Sequence, residues 1–232
     1  RGYEPILFYV KYAAIVAATC SLSILSYGVG TVGVKAYNTS AMTITNVSNL
    51  LATTADTVTI ATTQGVTITA TAHASTTSSL ASTNSGTFAA TGSTSNTATN
   101  LAALLNSHPE LTATASTADV SVTQNVPGAD GNVTPVYTSN SSVGMTIAAL
   151  ASGVTGDKFR MVTSTGDIRT AYAFGGTGTN FTSTGDFGTF KVETSNNDTA
   201  SNFATCINAS SSLTASATLA QTTITQGVAG FA

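Results

Sequence analysis

A glycine-rich run near the start of the chain, Gly28-Val29-Gly30-Thr31-Val32-Gly33, is the first candidate for ligand chemistry. It satisfies the pattern G-x-G-x-x-G, in which glycines let the backbone approach a pyrophosphate at the N-terminus of a helix. The residues that follow, 34–45, carry no apolar stripe at helical spacing, so the required helix is missing. We therefore predict no nucleotide site and no other cofactor.

The titratable residues are scattered. His73 and His108 are the only histidines, and we interpret both as surface or loop residues. Asp130, Asp167 and Asp186 are hard oxygen donors of the kind that calcium prefers, but no loop shows the spaced run of carboxylates that a dedicated site uses. We interpret these aspartates as turn residues and predict no metal site.

Nucleophilic catalysis has no candidate residue. No G-x-S-x-G sequence occurs, and neither cysteine has a histidine partner supported by its position. Cys20 and Cys206 both lie in apolar surroundings, where we expect small buried side chains without a bridge between them. The chain is therefore not expected to be an enzyme, although an enzyme that acts on a surface glycan stays open until the geometry of the carboxylates is known.

The composition favours strands and an uncharged surface. Ser and Thr together number 73, whereas Lys and Arg number 7 and Asp and Glu 10, with a net charge of -3. Thr is enriched in strands because its branched side chain fits a pleated, half-buried surface. Because a nucleic-acid partner needs a basic patch, the composition argues against one.

An internal repeat defines the structural unit from which most of the chain is built. Residues 86–128 align with residues 188–230 at a constant offset of 102, and 18 of the 43 positions are identical. A repeat of this kind indicates that one structural unit was duplicated. Residues 56–60 also match residues 157–161, so each repeated unit begins upstream of the aligned block. Gly166-Asp167 lies between apolar runs, and Gly and Asp are residue types favoured in hairpin turns.

Each copy predicts a strand, a short helix and two further strands. Asn96 and Asp198 precede an apolar stripe at helical spacing and are good N-cap residues. Asn106 and Asn208 fall where such a helix should end, because Asn tolerates a left-handed conformation. The predicted fold class is α+β, mainly β, with two tandem duplicated modules, each carrying one short helix on a small sheet. The predicted divisions are an apolar N-terminal arm at 1–37, a first module at 38–150 and a second module at 151–232.

The arm contains a long uncharged run, Tyr12–Val34, that meets the length of a membrane-spanning helix. Its glycines and its alternating pattern suit an extended segment at least as well, so we do not expect a membrane partner. The first module continues into a strand at 133–137 that has no counterpart in the second copy, which leaves an edge for another strand. We expect the arm to supply this strand to a neighbouring copy, although an arm folded against its own modules is nearly as well supported. The expected interface residues are Leu22, Ile24, Val32 and Val34.

The repeated block resembles a module of tailed-bacteriophage virion proteins. The residues that carry the resemblance are the helix ending at Leu105-Asn106, the Thr/Ala strand Leu111–Ala115, the strand Val120–Thr123 and the turn Pro127–Asn132. The second copy departs from it at the turn, where it has Gly227–Phe231. The resemblance implies a noncatalytic structural protein of a virion surface, most simply a head decoration or cement subunit that binds copies of itself and a major capsid or tail protein. The alternative is an extracellular filament or pilin-like subunit with an N-terminal core helix. Neither function needs a small-molecule substrate.

Overall fold

The computed structural model shows a mainly β protein with short helices, which confirms the predicted fold class. It describes residues 19–23, 31–51, 55–74, 79–82, 84–140, 142–163, 166–176, 180 and 186–226, with the backbone alone for 19–23 and 79–82. The helices are α1 Val47–Leu50, α2 Thr94–Asn106 and α3 Asn196–Asn208. The strands are β1 Thr19–Ser23, β2 Tyr37–Asn38, β3 Met42–Ile44, β4 Thr57–Ala61, β5 Thr67–His73, β6 Ser79–Ser82, β7 Ser85–Ala89, β8 Leu111–Ser116, β9 Asp119–Gln124, β10 Val136–Thr138, β11 Met145–Thr146, β12 Leu150–Ala151, β13 Lys158–Val162, β14 Ile168–Phe174, β15 Phe187–Lys191, β16 Leu213–Thr218 and β17 Gln221–Gln226.

The described strands form four sheets. Two of them belong to the first module, with strand orders β10-β4-β5-β7-β6 and β11-β3-β9-β2-β12, and β8 also pairs with β9. The other two have the orders β13-β14-β15 and β1-β17-β16. β1, from the N-terminal arm, is thus an edge strand of a sheet of the second module.

The repeat is visible in three dimensions. β7, α2, β8 and β9 precede β15, α3, β16 and β17 by 102 residues each, and β4 and β5 precede β13 and β14 by 101. The pairings also correspond, because β4–β5 and β13–β14 are antiparallel whereas β5–β7 and β14–β15 are parallel. Each duplicated unit therefore begins with a hairpin upstream of the block of highest identity, as the match of 56–60 with 157–161 predicts.

The helices begin earlier than predicted. Their N-caps are Ser93 and Ser195, and the predicted caps Asn96 and Asp198 lie three residues inside. Each serine hydroxyl accepts a hydrogen bond from the backbone N–H of that inner residue, at 3.1 Å in α2 and 3.3 Å in α3. The prediction was wrong because a polar residue in the first turn can be the partner of a cap as well as the cap itself.

Both helices end at the predicted asparagines, Asn106 and Asn208, but not through a left-handed turn, since neither is among the described residues with positive φ. Each amide instead bonds to the backbone of the next strand. The Asn106 side chain donates to the carbonyl of Ala113 at 2.6 Å and accepts from its N–H at 2.7 Å. Asn208 makes the same pair with Ala215. The asparagines thus connect each helix to its hairpin.

The two helices bury corresponding faces. Leu101 and Leu105 of α2 and Phe203 and Ile207 of α3 are each 0 % exposed. The six buried residues of α2 all correspond, at the offset of 102, to the six buried residues of α3. The duplicated helices therefore pack on their sheets with the same face.

The modules have separate hydrophobic cores of different size. The first core runs from Ala36 to Leu150, and the second, smaller one from Ala171 to Ile224. In the described part of the arm, β1 pairs along β17, and Gly33 and Val34 make isolated β-bridges to Phe174 and Val154 of the second module. Of the helices in the described part of the chain, none is long and apolar enough to cross a membrane.

Candidate assembly edge

The four residues predicted to form an interface between copies lie in different settings. Leu22 is on β1, which pairs with β17 of the same chain. Val32 is 37 % exposed, and the N–H of Val34 donates to the carbonyl of Val154 at 2.9 Å. Ile24 lies outside the described residues. The structure does not gather these residues into one patch, and their role between copies stays a prediction.

The last glycine of the G-x-G-x-x-G run packs at the junction of the modules. A Cβ on Gly33 would lie 2.8 Å from Cβ of Pro127 and 3.0 Å from the backbone nitrogen of Gly156. Gly33 is therefore required for close backbone packing. Gly28 and Gly30 lie outside the described residues.

His108 lies in the turn between α2 and β8, as a loop residue would, but with 4 % exposure it is not on the surface. Its Nδ1 accepts a hydrogen bond from the backbone N–H of Glu110 at 3.2 Å, and Ser210 Oγ accepts from Ser212 in the second copy. Both side chains therefore close the turn after the helix. Burial lowers the pKa of His108, and the Glu110 carboxylate opposes this shift. His73 is exposed at the end of β5, as predicted.

The candidate metal ligands occupy turns. Asp130 lies in a 3-10 turn, and Asp167 lies at the β13–β14 turn, where it accepts from the hydroxyl of Ser212 at 2.7 Å. Among the described residues, no group of three or more His, Cys, Asp or Glu side chains could hold a metal ion. The Cys206 thiol is free and buried, as expected.

A cleft of about 340 Å³ lies between the modules, beside the start of β13. It presents a carboxylate, Asp130, an amine, Lys158, and the phenol of Tyr172. Glycoside hydrolysis canonically uses two carboxyl groups that face the same bond, and the described residues that line this cleft include one, Asp130. The rest of its lining is Thr63, Gln64, Val126, Pro127, Gly128, Thr155 and Gly156.

The modules differ at the outer edge of their first hairpins. In the first module β10 pairs antiparallel with β4, and Tyr137 lies opposite Val58. In the second module β13 has β14 as its neighbour and no other partner among the described strands. At the offset of 101, Phe159 of β13 takes the place of Val58. β13 thus presents an edge that is covered in the other copy.

The core-facing side chains of β4, which has β10 beside it, are more deeply buried than those of β13. In β4, Val58 is 1 % and Ile60 is 0 % exposed, and the ring of Tyr137 packs against the same core. Their counterparts Phe159 and Met161 are only partly buried, although both contact the second core. The added strand and its surroundings in the first module therefore remove apolar area from water that β13 leaves exposed.

A buried carboxylate holds the added strand in the first module. Asp56 is 1 % exposed and accepts hydrogen bonds from the hydroxyl of Tyr137 and, at 3.0 Å, from the N–H of Asn140. The Tyr137 oxygen in turn accepts from the N–H of Gly144 at 2.9 Å. Burial, together with the hydrogen bond to Asp56, raises the pKa of Tyr137. The tyrosine is therefore fixed at both its ring and its hydroxyl.

The corresponding carboxylate of the second module, Asp157, is exposed. It lies one residue before β13, as Asp56 lies one residue before β4. One of its oxygens accepts from the backbone N–H of Thr31 at 3.2 Å. The second module thus keeps the acidic residue at the edge of the sheet, where it bonds to the main chain of the arm.

The main chain of β13 is oriented for pairing. The N–H of Thr163 donates to the carbonyl of Asp167 at 2.8 Å, within the hairpin. Because main-chain groups alternate between the two sides of a strand, those of Val162, Arg160 and Lys158 point away from β14. The side chains of Lys158 and Arg160 are exposed and take part in no salt bridge among the described residues.

Sequence reasoning recognised the strands on both sides of this site but not the contact that distinguishes them. The Asp56–Asp157 match was visible, whereas the return of Tyr137 to Asp56 was not. A tyrosine between two β-branched residues, Val136 and Thr138, was the available signal.

Comparison with protein-family models, with curated proteins and with solved structures finds no match to this chain.

Proposed function

We propose that this protein is a noncatalytic structural subunit of a bacteriophage virion, a head decoration or cement protein that binds neighbouring subunits. The observation that carries the proposal is the edge of β13, which pairs with no described strand other than β14, in a duplicated fold whose other copy has the same edge covered. A tail component of the same virion is the nearest variant.

An open edge supports assembly because it provides unpaired backbone donors and acceptors in a row. Soluble proteins normally cover or distort such edges, since another chain can add a strand to them. At β13 the partly buried Phe159 and Met161 add apolar area to the main-chain hydrogen bonds. Covering this edge would therefore stabilise a contact by both effects.

The composition of the surface agrees with a subunit packed among other subunits. With 17 charged residues against 73 Ser and Thr, contacts between copies would depend on hydroxyl and backbone hydrogen bonds. Such contacts are less sensitive to salt than ion pairs are. The partners we propose are copies of this chain and a major capsid or tail protein, on the surface of the virion.

The contrasting function is an extracellular filament subunit whose N-terminal segment is a core helix. The five residues of the arm that form β1 are a strand, which favours the virion proposal over a helix at those residues.

Immunogold electron microscopy of the source culture tests the proposal directly. Antibodies raised against the purified chain are expected to label the heads of phage particles, or their tails in the nearest variant. Labelling of filaments on cells would support the contrasting function. Gold that remains with unassembled protein and labels neither kind of assembly would refute both.

A further inference from the structure

We propose that the edge of β13 binds residues Phe8–Val10 of a second copy, which add to it as an antiparallel strand. This inference rests on the proposed function only in that it requires contact between copies. Its basis is the first module, where the same edge already binds a three-residue strand of known register.

The first module provides the template for the occupant. β10 consists of Val136, Tyr137 and Thr138, an aromatic residue between two β-branched ones. Within residues 1–18, which precede β1, Phe8-Tyr9-Val10 places a tyrosine between two residues that favour strands. The apolar run Ile6–Val10 that contains it is uncharged.

The register of the template then fixes the contacts. Tyr137 lies opposite Val58, and its hydroxyl bonds to Asp56, two residues earlier. The same register places Tyr9 opposite Phe159, with its hydroxyl directed to Asp157. Aromatic cross-strand pairs of this kind stabilise the pairing of two strands.

Pairing of β13 with a second β13 is disfavoured by charge. Such a twofold contact would place Lys158 and Arg160 of one copy close to the same residues of the other. Like charges opposite each other destabilise a strand pair. The edge therefore disfavours a basic occupant, and residues 6–10 carry no charge.

The position of β1 agrees with delivery by a second copy. Thr19–Ser23 pair with β17, which is in the sheet β1-β17-β16, whereas β13 lies in the other sheet of the second module. The arm of each chain is thus already held at one sheet of its own second module. Its preceding residues can pair with β13 of a neighbour and so link the copies in series.

Disulfide trapping between two different chains tests the proposal. In the proposed register Val10 lies opposite Lys158, as Thr138 lies opposite Thr57. Directly opposite residues in antiparallel strands have Cα atoms about 4.5–5.5 Å apart, within the range of a disulfide.

The experiment mixes a Val10→Cys chain with a Lys158→Cys chain, both in a Cys20→Ser background. After mild oxidation, linked peptides are identified by mass spectrometry without reduction. The matched control is Thr57→Cys, the same position on β4, where β10 already occupies the edge.

We expect a linked dimer with Lys158→Cys and none above background with Thr57→Cys. The dimer should be lost when Arg160→Pro is added to the Lys158→Cys chain, because this proline removes an outward N–H while the hydrogen bonds to β14 stay intact.

Equal linking to Thr57→Cys, or no linked dimer in a folded mixture, overturns the proposal. So does a Val10→Cys, Lys158→Cys double variant that forms only linked monomers, since the arm then serves its own chain. If gold labels virion heads or tails while no linked dimer forms, the strand addition fails and the proposed function stands.

Discussion

At the scale of single residues, His108 shows how burial converts a turn residue into a pH-sensitive one. Its Nδ1 must be unprotonated to accept from the Glu110 N–H, and burial lowers its pKa below the ordinary value of 6.5. As the pH falls below about 6.5, the unfolded chain binds a proton that the folded chain does not, so the free energy of unfolding decreases. The loss is complete once the pH has passed below the folded pKa.

The second module supplies the substitution that tests this effect. His108→Ser keeps a turn acceptor, as Ser210 does, and removes the titrating group. We expect the variant to lose less stability than the unmodified protein between pH 7 and pH 5, as measured by denaturant unfolding at each pH. Parallel stability profiles for the two proteins would show that His108 does not titrate on unfolding.

Cys206 has the opposite shift. Burial raises the pKa of its thiol to about 11, and the nearby Arg169 guanidinium opposes this shift. Because the thiolate is the reactive form, a thiol reagent at pH 8 is expected to leave Cys206 unmodified in the folded protein and to modify it fully in denaturant. In a Cys20→Ser background, rapid labelling of the folded chain would contradict the burial of Cys206.

At the scale of elements, the two β-hairpins β8–β9 and β16–β17 share a strained turn. Thr117 and Leu219, the first residue of each two-residue loop, both have φ of 53°, a region in which glycine is favoured. Leu219 is 73 % exposed, so its removal leaves no cavity. Leu219→Gly is expected to stabilise the second module by roughly 0.5–1 kcal/mol, the relief of strain being partly offset by chain entropy. Thermal unfolding should show a rise of about 2 °C.

The adjacent residue is the matched control for this prediction. Ala220 follows Leu219 in the same loop and is not among the described residues with positive φ. Ala220→Gly gains no relief of strain and should lower stability by about 0.5–1 kcal/mol. The strain argument fails if both glycine variants change stability in the same direction.

At the scale of the whole molecule, two truncations separate assembly from folding. Removal of residues 1–18 leaves β1 on β17 and both cores intact, so the chain is expected to fold with unchanged far-UV circular dichroism but no longer to associate in sedimentation experiments. Removal of residues 1–37 takes away β1 as well as Ala36, which is 0 % exposed in the first core. This longer truncation should lower the melting temperature, and a fold as stable as that of the 1–18 truncation would contradict a stabilising role for β1 and Ala36.

The sequence by itself determined the repeated unit and its elements. Features of short range were sufficient for this, because apolar spacing and hairpin turns act over a few residues. The stripe through Leu101 and Leu105 located the buried face of α2, and its alignment located the same face of α3. Even locally, the residue that caps a helix could not be separated from its partner, since Ser93 and Asn96 are both suited to the N-terminal turn.

The tertiary structure alone decided how two corresponding hairpins came to differ. Asp56 and Asp157 hold the same place in the repeat, yet one is buried and the other exposed. The difference depends on whether a distant strand arrives at the edge, and Tyr137 is separated from Asp56 by 81 residues. The pairing of β10 with β4 depends on the path of the chain between them and on which sheet edge has no other strand beside it. No local sequence pattern encodes either property.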